Sequence, residues 1–376
     1  MNILITGGMG FIGTNLAKSI IASGQHKVRI FDNLSPQIHG TIPSFDKSFI
    51  DLDNLEILRG DVCNVQSISA ALTDIDAIVH LAAETGTAQS MYQIAHYNAV
   101  NTQATAQMLD FLANNPHSVK KIVLASSRSI YGEGSYECKL HGVIFPGART
   151  SAMLKNQQWD PVCPHCGNQI VAIPTPEIAR PSPASIYAAT KYAQEDLIRI
   201  AGNSLSIGTT ILRFQNVYGA GQSLNNPYTG ILSIFSTRIR RGMSLPIFED
   251  GLESRDFVHV SDIVNAIELA LESTSSIGQT FNVGAGQPTS ILEIANMLVD
   301  VFGGKVRPEV TGQYRLGDIR HCYADLTQIK SNLNFEPKIS LKKGLEEFAD
   351  WVLSQPLPED GLDKANEELK KRKMMS

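Results

Sequence analysis

The stretch Asn2-Ile3-Leu4-Ile5-Thr6, running straight into Gly7-Gly8-Met9-Gly10-Phe11-Ile12-Gly13, leaves few options for how this chain folds. A short apolar β-type run enters a turn with glycine at 7, 10 and 13, and Thr14 to Ala22 continues with helical periodicity. At that spacing one glycine permits the tight turn, one lets the backbone approach a pyrophosphate, and one lets the helix pack on the strand. The helix then offers unpaired N–H groups and the positive end of its dipole to phosphate oxygens. A second β-type run, Lys27 to Phe31, ends at Asp32, 19 residues after Gly13. An acidic group near that distance meets the adenosine ribose hydroxyls and repels a 2′-phosphate, which favours NAD over NADP.

Further β-type runs at Leu55 to Leu58, Ala77 to Leu81 and Lys121 to Ser126 alternate with helical stretches. This is the pattern of an α/β, Rossmann-type, doubly wound parallel sheet. Asn33, Asp61, Val62, Leu81, Ala82 and Ala83 fall at strand ends, on the ligand edge of such a sheet, and join Gly7, Gly10, Phe11, Ile12, Gly13 and Asp32 as the expected cofactor-binding set. The net charge of −5 gives no general attraction to nucleic acid or an anionic membrane. No apolar run is long enough to span a membrane, and no signal peptide is read before the first strand. Five cysteines, an odd number, do not suggest a secreted disulfide framework. The expectation is a cytoplasmic protein with reduced thiols.

Tyr187-Ala188-Ala189-Thr190-Lys191 lies in an expected helix, Ile186 to Ala201. Positions i and i+4 share a helix face, so the phenol and the ammonium point the same way. A tyrosine titrates near ~10, and a neighbouring cation stabilises the phenolate and lowers that value. The lysine can also hold the nicotinamide ribose. Upstream, Ala125-Ser126-Ser127-Arg128-Ser129-Ile130-Tyr131-Gly132 ends a strand in hydroxyls that can hold an oxygen alternating between alcohol and ketone. Ser127 is the first choice and Ser126 the second.

With these residues in view, the chain resembles the extended short-chain dehydrogenase/reductases, in the nucleoside-diphosphate-sugar epimerase/dehydratase group. The resemblance continues through Leu212-Arg213-Phe214-Gln215-Asn216-Val217-Tyr218-Gly219, Arg255-Asp256-Phe257-Val258-His259-Val260-x-Asp262 and Arg315-Leu316-Gly317-Asp318. It implies catalytic roles for Ser127, Tyr187 and Lys191. It also implies a nucleoside-diphosphate-sugar site in a smaller C-terminal lobe, with Ser127, Arg128, Asn216, Arg255 and Arg315 meeting the substrate, and guanidinium groups suit phosphate oxygens. Asp256 and Asp262 read as structural. The expected layout is 1–215 for the cofactor domain, 216–350 for the substrate lobe interleaved with it, and 351–376 for a C-terminal tail whose residues 366–372 read as a solvated terminal helix or tail. Helices at Met91 to Asn114 and Ile186 to Ala201 match the family's dimer faces, so a homodimer is expected.

Residues 133–182 exceed the loop the family needs at that place. They contain Cys138-Lys139-Leu140-His141-Gly142 and Cys163-Pro164-His165-Cys166-Gly167. Two x2-spaced pairs with trailing glycines are a ribbon-type zinc pattern, and Cys138, His141, Cys163 and Cys166 would close a tetrahedral structural site. His165 is a rival nitrogen ligand. The insertion is expected to border the sugar pocket as a lid or a subunit contact. Cys63 and Cys322 read as ordinary buried cysteines.

The dehydratases of the family follow their catalytic threonine with Asp-Glu, and the decarboxylases keep a Glu two residues before the matching tyrosine. Arg128 and Ser129 stand there instead, and neither serves as a general acid at neutral pH. What remains is 4-epimerisation through a transient 4-keto sugar, with NAD retained. The inserted run Trp159-Asp160-Pro161-Val162-Cys163-Pro164-His165-Cys166-Gly167, followed by Ile173-Pro174-Thr175-Pro176-Glu177, resembles a narrower group, the dTDP-L-rhamnose 4-epimerases. Substrate identity is implied by that resemblance alone. A UDP-hexose or UDP-uronate 4-epimerase and a catalytically silent binding protein are the alternatives.

Overall fold

The structure, a computed structural model, describes residues 1–376 except 41, 42, 44, 45, 227, 229 and 376. Its main sheet has seven strands: β1 (Asn2–Thr6), β2 (Lys27–Asp32), β3 (Leu55–Arg59), β4 (Ala77–His80), β5 (Lys121–Ser127), β6 (Gly208–Phe214) and β7 (Gln279–Val283). They are parallel and lie in the order β7-β6-β5-β4-β1-β2-β3. The order reverses at β1 and β4, where a doubly wound sheet opens a crevice beyond its carboxyl ends.

The sequence of β1 explains its central place. Ile3 and Ile5 pack on one face with Leu16, Ala17 and Ile20 of helix α1 (Phe11–Ala22). Leu4 packs on the other face with Met108 and Leu112. A strand buried on both faces reads as a continuous apolar run, as this one does. Helix α2 (Ile186–Leu205) covers β5 on the second face and is longer than the expected Ile186 to Ala201. The expected helix from Met91 begins at Ile94 and is relaxed into a π turn at Asn98–Gln103 before continuing as Ala104–Asn114.

A separate core, including Tyr218, Phe235, Leu245, Phe257, Leu298 and Phe348, builds the smaller lobe. Asp256 is fully buried there and accepts from the N–H groups of Ala285, Gly286 and Ala324 at 2.7, 3.0 and 3.1 Å. Asp262 accepts from Lys338 and Ile339 N–H, so both carboxylates brace loops. The edge strand β7 comes from beyond residue 216, which interleaves the two lobes.

Of the two readings for residues 366–372 the helix is the one found: Leu362–Lys371 is helical, its charged side is exposed, and Leu362, Ala365 and Leu369 are buried. One expectation fails here. Cys63 is exposed, because it sits in the turn after β3 rather than within an element, whereas Cys322 is buried.

The insertion has its own three-stranded antiparallel sheet, Gly142–Ile144, Tyr136–Cys138 and Val171–Ala172. Its small core of Tyr136, Cys138, Ile144, Cys163 and Ile170 has little apolar area to hold it. Buried ion pairs fasten it to the smaller lobe. Arg320, 1% exposed, donates to Asp160 at 2.7 Å and to both oxygens of Asp250 at 2.7 and 2.9 Å. Arg149 bridges Glu133 at 3.2 Å and Glu249 at 2.8 Å. Glu133 closes the ring by accepting from the Arg320 N–H at 2.7 Å.

Candidate active site and metal knuckle

A cleft of about 350 Å³ lies beyond the carboxyl ends of β1, β2 and β4. Gly7, Gly10, Phe11, Ile12, Gly13, Asp32, Asn33, Val62, Leu81, Ala82, Ala83, Tyr187 and Lys191 line it, as the sequence led us to expect. Asp61 does not. Its carboxylate turns back to cap the Cys63 N–H at 2.8 Å and to accept from Asn33 Nδ2 at 3.2 Å, which holds its pKa below the usual range.

Two glycines cannot be replaced without moving backbone. Gly7 has φ of +68°, and a Cβ there would stand 2.8 Å from Ala82 N; a Cβ on Gly13 would stand 2.5 Å from Gly8 Cα. Helix α1 starts at Gly10 with no side-chain cap and no acidic residue in its first turn. Its N–H groups therefore face the cleft as an anion site. Asp32 is held by the N–H groups of Met9 and Leu34 at 3.0 and 2.8 Å, at the position suited to ribose hydroxyls. These features fit a dinucleotide such as NAD. Near Asp32, His39 also lines the cleft; burial lowers its pKa against the pull of that carboxylate.

A second cavity of about 330 Å³ adjoins the first. Thr85, Ser127, Tyr187, Gln215, Val217 and Gln222 line both. Ser127 ends β5 and caps the short turn Arg128–Tyr131. Its Oγ accepts from Ser129 N at 3.2 Å and from Ser129 Oγ at 2.9 Å, which leaves its own proton to donate. Ser127 and Tyr187 line both cavities together, and Ser127 acts to lower the Tyr187 phenol. The other candidate, Ser126, is spent on Glu195, which also binds Arg213.

Arg128 is a second cation beside Tyr187. Burial pushes the phenol up, while Ser127 and the Arg128 charge pull it down. Lys191 is itself buried, and burial lowers it to about 7, with Glu195 opposing. A charge with little water around it is costly, so the ammonium yields first.

Arg128 and Asn216 line the second cavity and are joined by an Nε to Oδ1 hydrogen bond of 2.9 Å. Arg128 NH1 is buried without a protein partner among the described residues, as are both polar ends of Gln215. Arg255 and Arg315 are not brought to either cavity lining. Arg255 donates to the carbonyls of Ser254 and Arg320. Arg315 stacks on Phe248 at 4.7 Å and donates to Asn366 at 2.7 Å. Thr85, Gln215 and Gln222 were missed from sequence. Only Gln215 carried a signal, its place beside Asn216 in the matched motif.

The four knuckle ligands converge as expected, with donor atoms all within 4.8 Å of one another. Cys138 Sγ lies 3.8 Å from Cys166 Sγ, and His141 Nδ1 lies 3.6 and 3.5 Å from the sulfurs of Cys138 and Cys163. Tetrahedral zinc with bonds of ~2.3 Å to sulfur and ~2.05 Å to nitrogen has edges of about 3.8 and 3.6 Å. The cage therefore fits that ion, and its sulfurs are too far apart for disulfides. Gly142 and Gly167, with φ of +67° and +72°, close the two turns. His165 stays outside the four, its ring 5.1 Å from that of His141. No residue of 133–182 lines either cavity. The ion-pair ring draws it toward residues 318–320 instead.

This fold, with a serine and a Tyr-x3-Lys helix meeting beside a dinucleotide cleft, defines an NAD-linked short-chain dehydrogenase/reductase architecture. The chain belongs to the NAD dependent epimerase/dehydratase family, whose model matches residues 3–143 and 165–284 and omits the middle of the insertion. It is 36% identical to a dTDP-L-rhamnose 4-epimerase of Burkholderia thailandensis, over 94% of this chain and 95% of that one. Among solved structures, it is similar to UDP-glucuronic acid 4-epimerase from Bacillus cereus in complex with UDP-glucuronic acid and NAD. The TM-score there is 0.75 and the identity 26%, over 94% of this chain and 99% of that one. UDP-glucose 4-epimerase from Thermotoga maritima is alike, with a TM-score of 0.75, 27% identity and the same coverage.

Proposed function

We propose that this protein is a nucleotide-sugar 4-epimerase that keeps NAD bound and interconverts dTDP-L-rhamnose and dTDP-6-deoxy-L-talose. The observation that carries the reaction type is the placing of Ser127 and Tyr187 on the wall between the cofactor cleft and the second cavity. The substrate rests on the likeness to the Burkholderia enzyme.

Gly7, Gly10, Phe11, Ile12, Gly13 and Asp32 would hold the dinucleotide, and bound NAD supplies a hydride acceptor that can become a donor. Tyr187 takes the proton from the sugar 4-hydroxyl and later returns it. Arg128 and Ser127 stabilise the phenolate in between. Ser127 also holds O4 while that oxygen passes from alcohol to ketone and back. Lys191 approaches the cofactor side of the cleft, and Arg128 with Asn216 faces the substrate. Arg255 and Arg315 line neither cavity, so they stand outside the proposed substrate contacts in this conformation. Neither a dehydratase-type carboxyl pair nor a decarboxylase-type glutamate stands beside Ser127, which keeps the chemistry to C4.

The knuckle is read as a structural zinc site. Four protein ligands leave no position for a reacting water, and metal binding would fold a segment whose core is too small to fold it. The outward sides of Ile94–Asn114 and α2 are the proposed homodimer contact.

The unpartnered Arg128 NH1 favours one second reading, a UDP-uronate 4-epimerase, since a guanidinium in the sugar cavity suits a C6 carboxylate. The test is a panel of dTDP-L-rhamnose, UDP-glucose and UDP-glucuronate followed by NMR at the sugar H4. Turnover confined to the first supports the reading. Turnover confined to the last transfers it to uronates, and none at all removes 4-epimerisation.

A further inference from the structure

The C-terminal helix Leu362–Lys371 reaches the walls of the second cavity from outside. Its inner face is apolar, but Glu368, next to buried Leu369, serves a different purpose. One carboxylate oxygen, Oε2, accepts from Tyr92 OH at 3.1 Å and from Tyr228 OH at 2.9 Å. Tyr228 lines the second cavity on the segment leading to the smaller lobe's helix Ile231–Arg240. Tyr92 belongs to the cofactor domain, just after a turn whose Thr85, Gly86 and Thr87 line the same cavity. In that turn Ser90 Oγ accepts from Tyr187 N at 3.0 Å. A single oxygen atom thus ties the two lobes together across the substrate cavity.

The surroundings are built around that tie. Arg372 stacks 4.3 Å over the Tyr92 ring. Arg238 pins the start of the helix through Asp360 and Asp363. Asn366 accepts from Arg315, and Leu316 N–H donates to the Met374 carbonyl at 3.0 Å, so the chain end also fixes the Arg315 segment. Burial raises both phenols and their hydrogen bonds lower Glu368, so donors and acceptor keep their roles across neutral pH.

We propose that Glu368 is a positioning residue for the substrate: by joining Tyr92 to Tyr228 it holds the two lobes at the separation a nucleoside-diphosphate sugar requires. The geometry stands without any assumed activity, whereas the identity of the occupant rests on the nucleotide-sugar reading. A helix that merely covers apolar surface would need Leu362, Ala365 and Leu369 but not this carboxylate. Replacing Glu368 alone separates the two roles.

The experiment compares wild type with Glu368→Ala, Glu368→Gln and Tyr92→Phe. It records KM and kcat with the nucleotide sugar that wild type turns over. It also records hydrogen exchange of the segments carrying Tyr92 and Tyr228. In Glu368→Ala, KM should rise about tenfold, the loss of one charged hydrogen-bonding hub, with kcat changed by less than about twofold. Both segments should exchange faster. Glu368→Gln keeps an acceptor oxygen and should fall between. Tyr92→Phe cuts one arm, leaves the helix in place and should also raise KM, which covers the case of a Glu368→Ala protein that does not fold. Unchanged KM with unchanged exchange overturns the proposal, and so does a fall in kcat alone. If wild type turns over no nucleotide sugar, the functional reading fails while exchange still decides the tie: faster exchange in both segments supports it and equal exchange overturns it.

Discussion

Ser127 and Tyr187 meet at the junction of two cavities and line both, although one residue ends a strand and the other begins a helix. Ser129 occupies the Ser127 lone pairs, so the serine acts as a donor. Tyr187→Phe keeps the ring and removes the proton carrier. Turnover should fall by about 10³-fold or more, with bound NAD unchanged, as measured by appearance of the epimer's H4 signal in NMR and by cofactor release on denaturation. Ser127→Ala should cost less, about 10- to 100-fold, because the phenol remains.

Asp32 lines the cofactor cleft and is the residue expected to choose between NAD and NADP. Its carboxylate is held by two backbone N–H groups and is 9% exposed, so it is in place before any ligand arrives. Asp32→Asn keeps the shape and removes the charge that repels a 2′-phosphate. The variant should retain about tenfold less NAD on purification, and its discrimination against NADP should narrow, as read by calorimetry with each dinucleotide.

The knuckle should carry one zinc per chain by elemental analysis. Cys163→Ser should lose it and expose the insertion to protease, while the seven-stranded sheet keeps its helical and strand signal in circular dichroism. Full zinc content in that variant would contradict the ligand set.

Arg320 is a separate lever on the same segment. Four acidic groups, Asp160, Glu249, Asp250 and Glu253, gather on one buried guanidinium. Arg320→Ala leaves Glu249 to Arg149 alone and takes the guanidinium from Asp250 and the buried Glu253, and should cost about 3–5 kcal/mol in urea unfolding. A loss under about 1 kcal/mol would mean the ring contributes little to holding the insertion down.

Acid stability should depend on His80. It is buried between Thr6 and Thr105, with ring-nitrogen distances of 2.8 and 3.0 Å, and burial lowers it to about 3. An unfolded histidine takes up its proton near ~6.5. The folded state then binds fewer protons than the unfolded one between those values. The stabilisation is therefore whole above ~6.5 and declines as pH falls toward 3, with a slope of up to about 1.4 kcal/mol per pH unit. The difference in urea midpoint between pH 7 and pH 5 should shrink in His80→Asn.

Local features of the sequence were the legible ones. The strand–glycine–helix run, the Asp32 spacing, the Tyr187/Lys191 face and the two cysteine turns each lie within a few residues, where backbone geometry alone decides what is possible. Side-chain direction across the fold was not legible. Arg315 sits in the matched motif, yet its guanidinium is taken by Asn366, 51 residues on. The same distance problem hid the Arg149–Glu249 pair, the docking of Leu362–Lys371 and the Arg128 charge on Tyr187. The insertion was recognised as a module, but it was expected at the sugar pocket and contributes to neither cavity lining, because ligand spacing fixes the knuckle and says nothing about what it packs against.

The central claim is that hydride leaves C4 and returns to C4 within one protein-held site, with Tyr187 handling only the proton. The most direct measurement uses dTDP-L-rhamnose deuterated at C4, in ordinary water, with the purified protein and no added cofactor. The account expects the talose epimer to form with deuterium still at C4. Product carrying protium at C4 would contradict it by showing exchange with solvent, and so would turnover that requires free NAD.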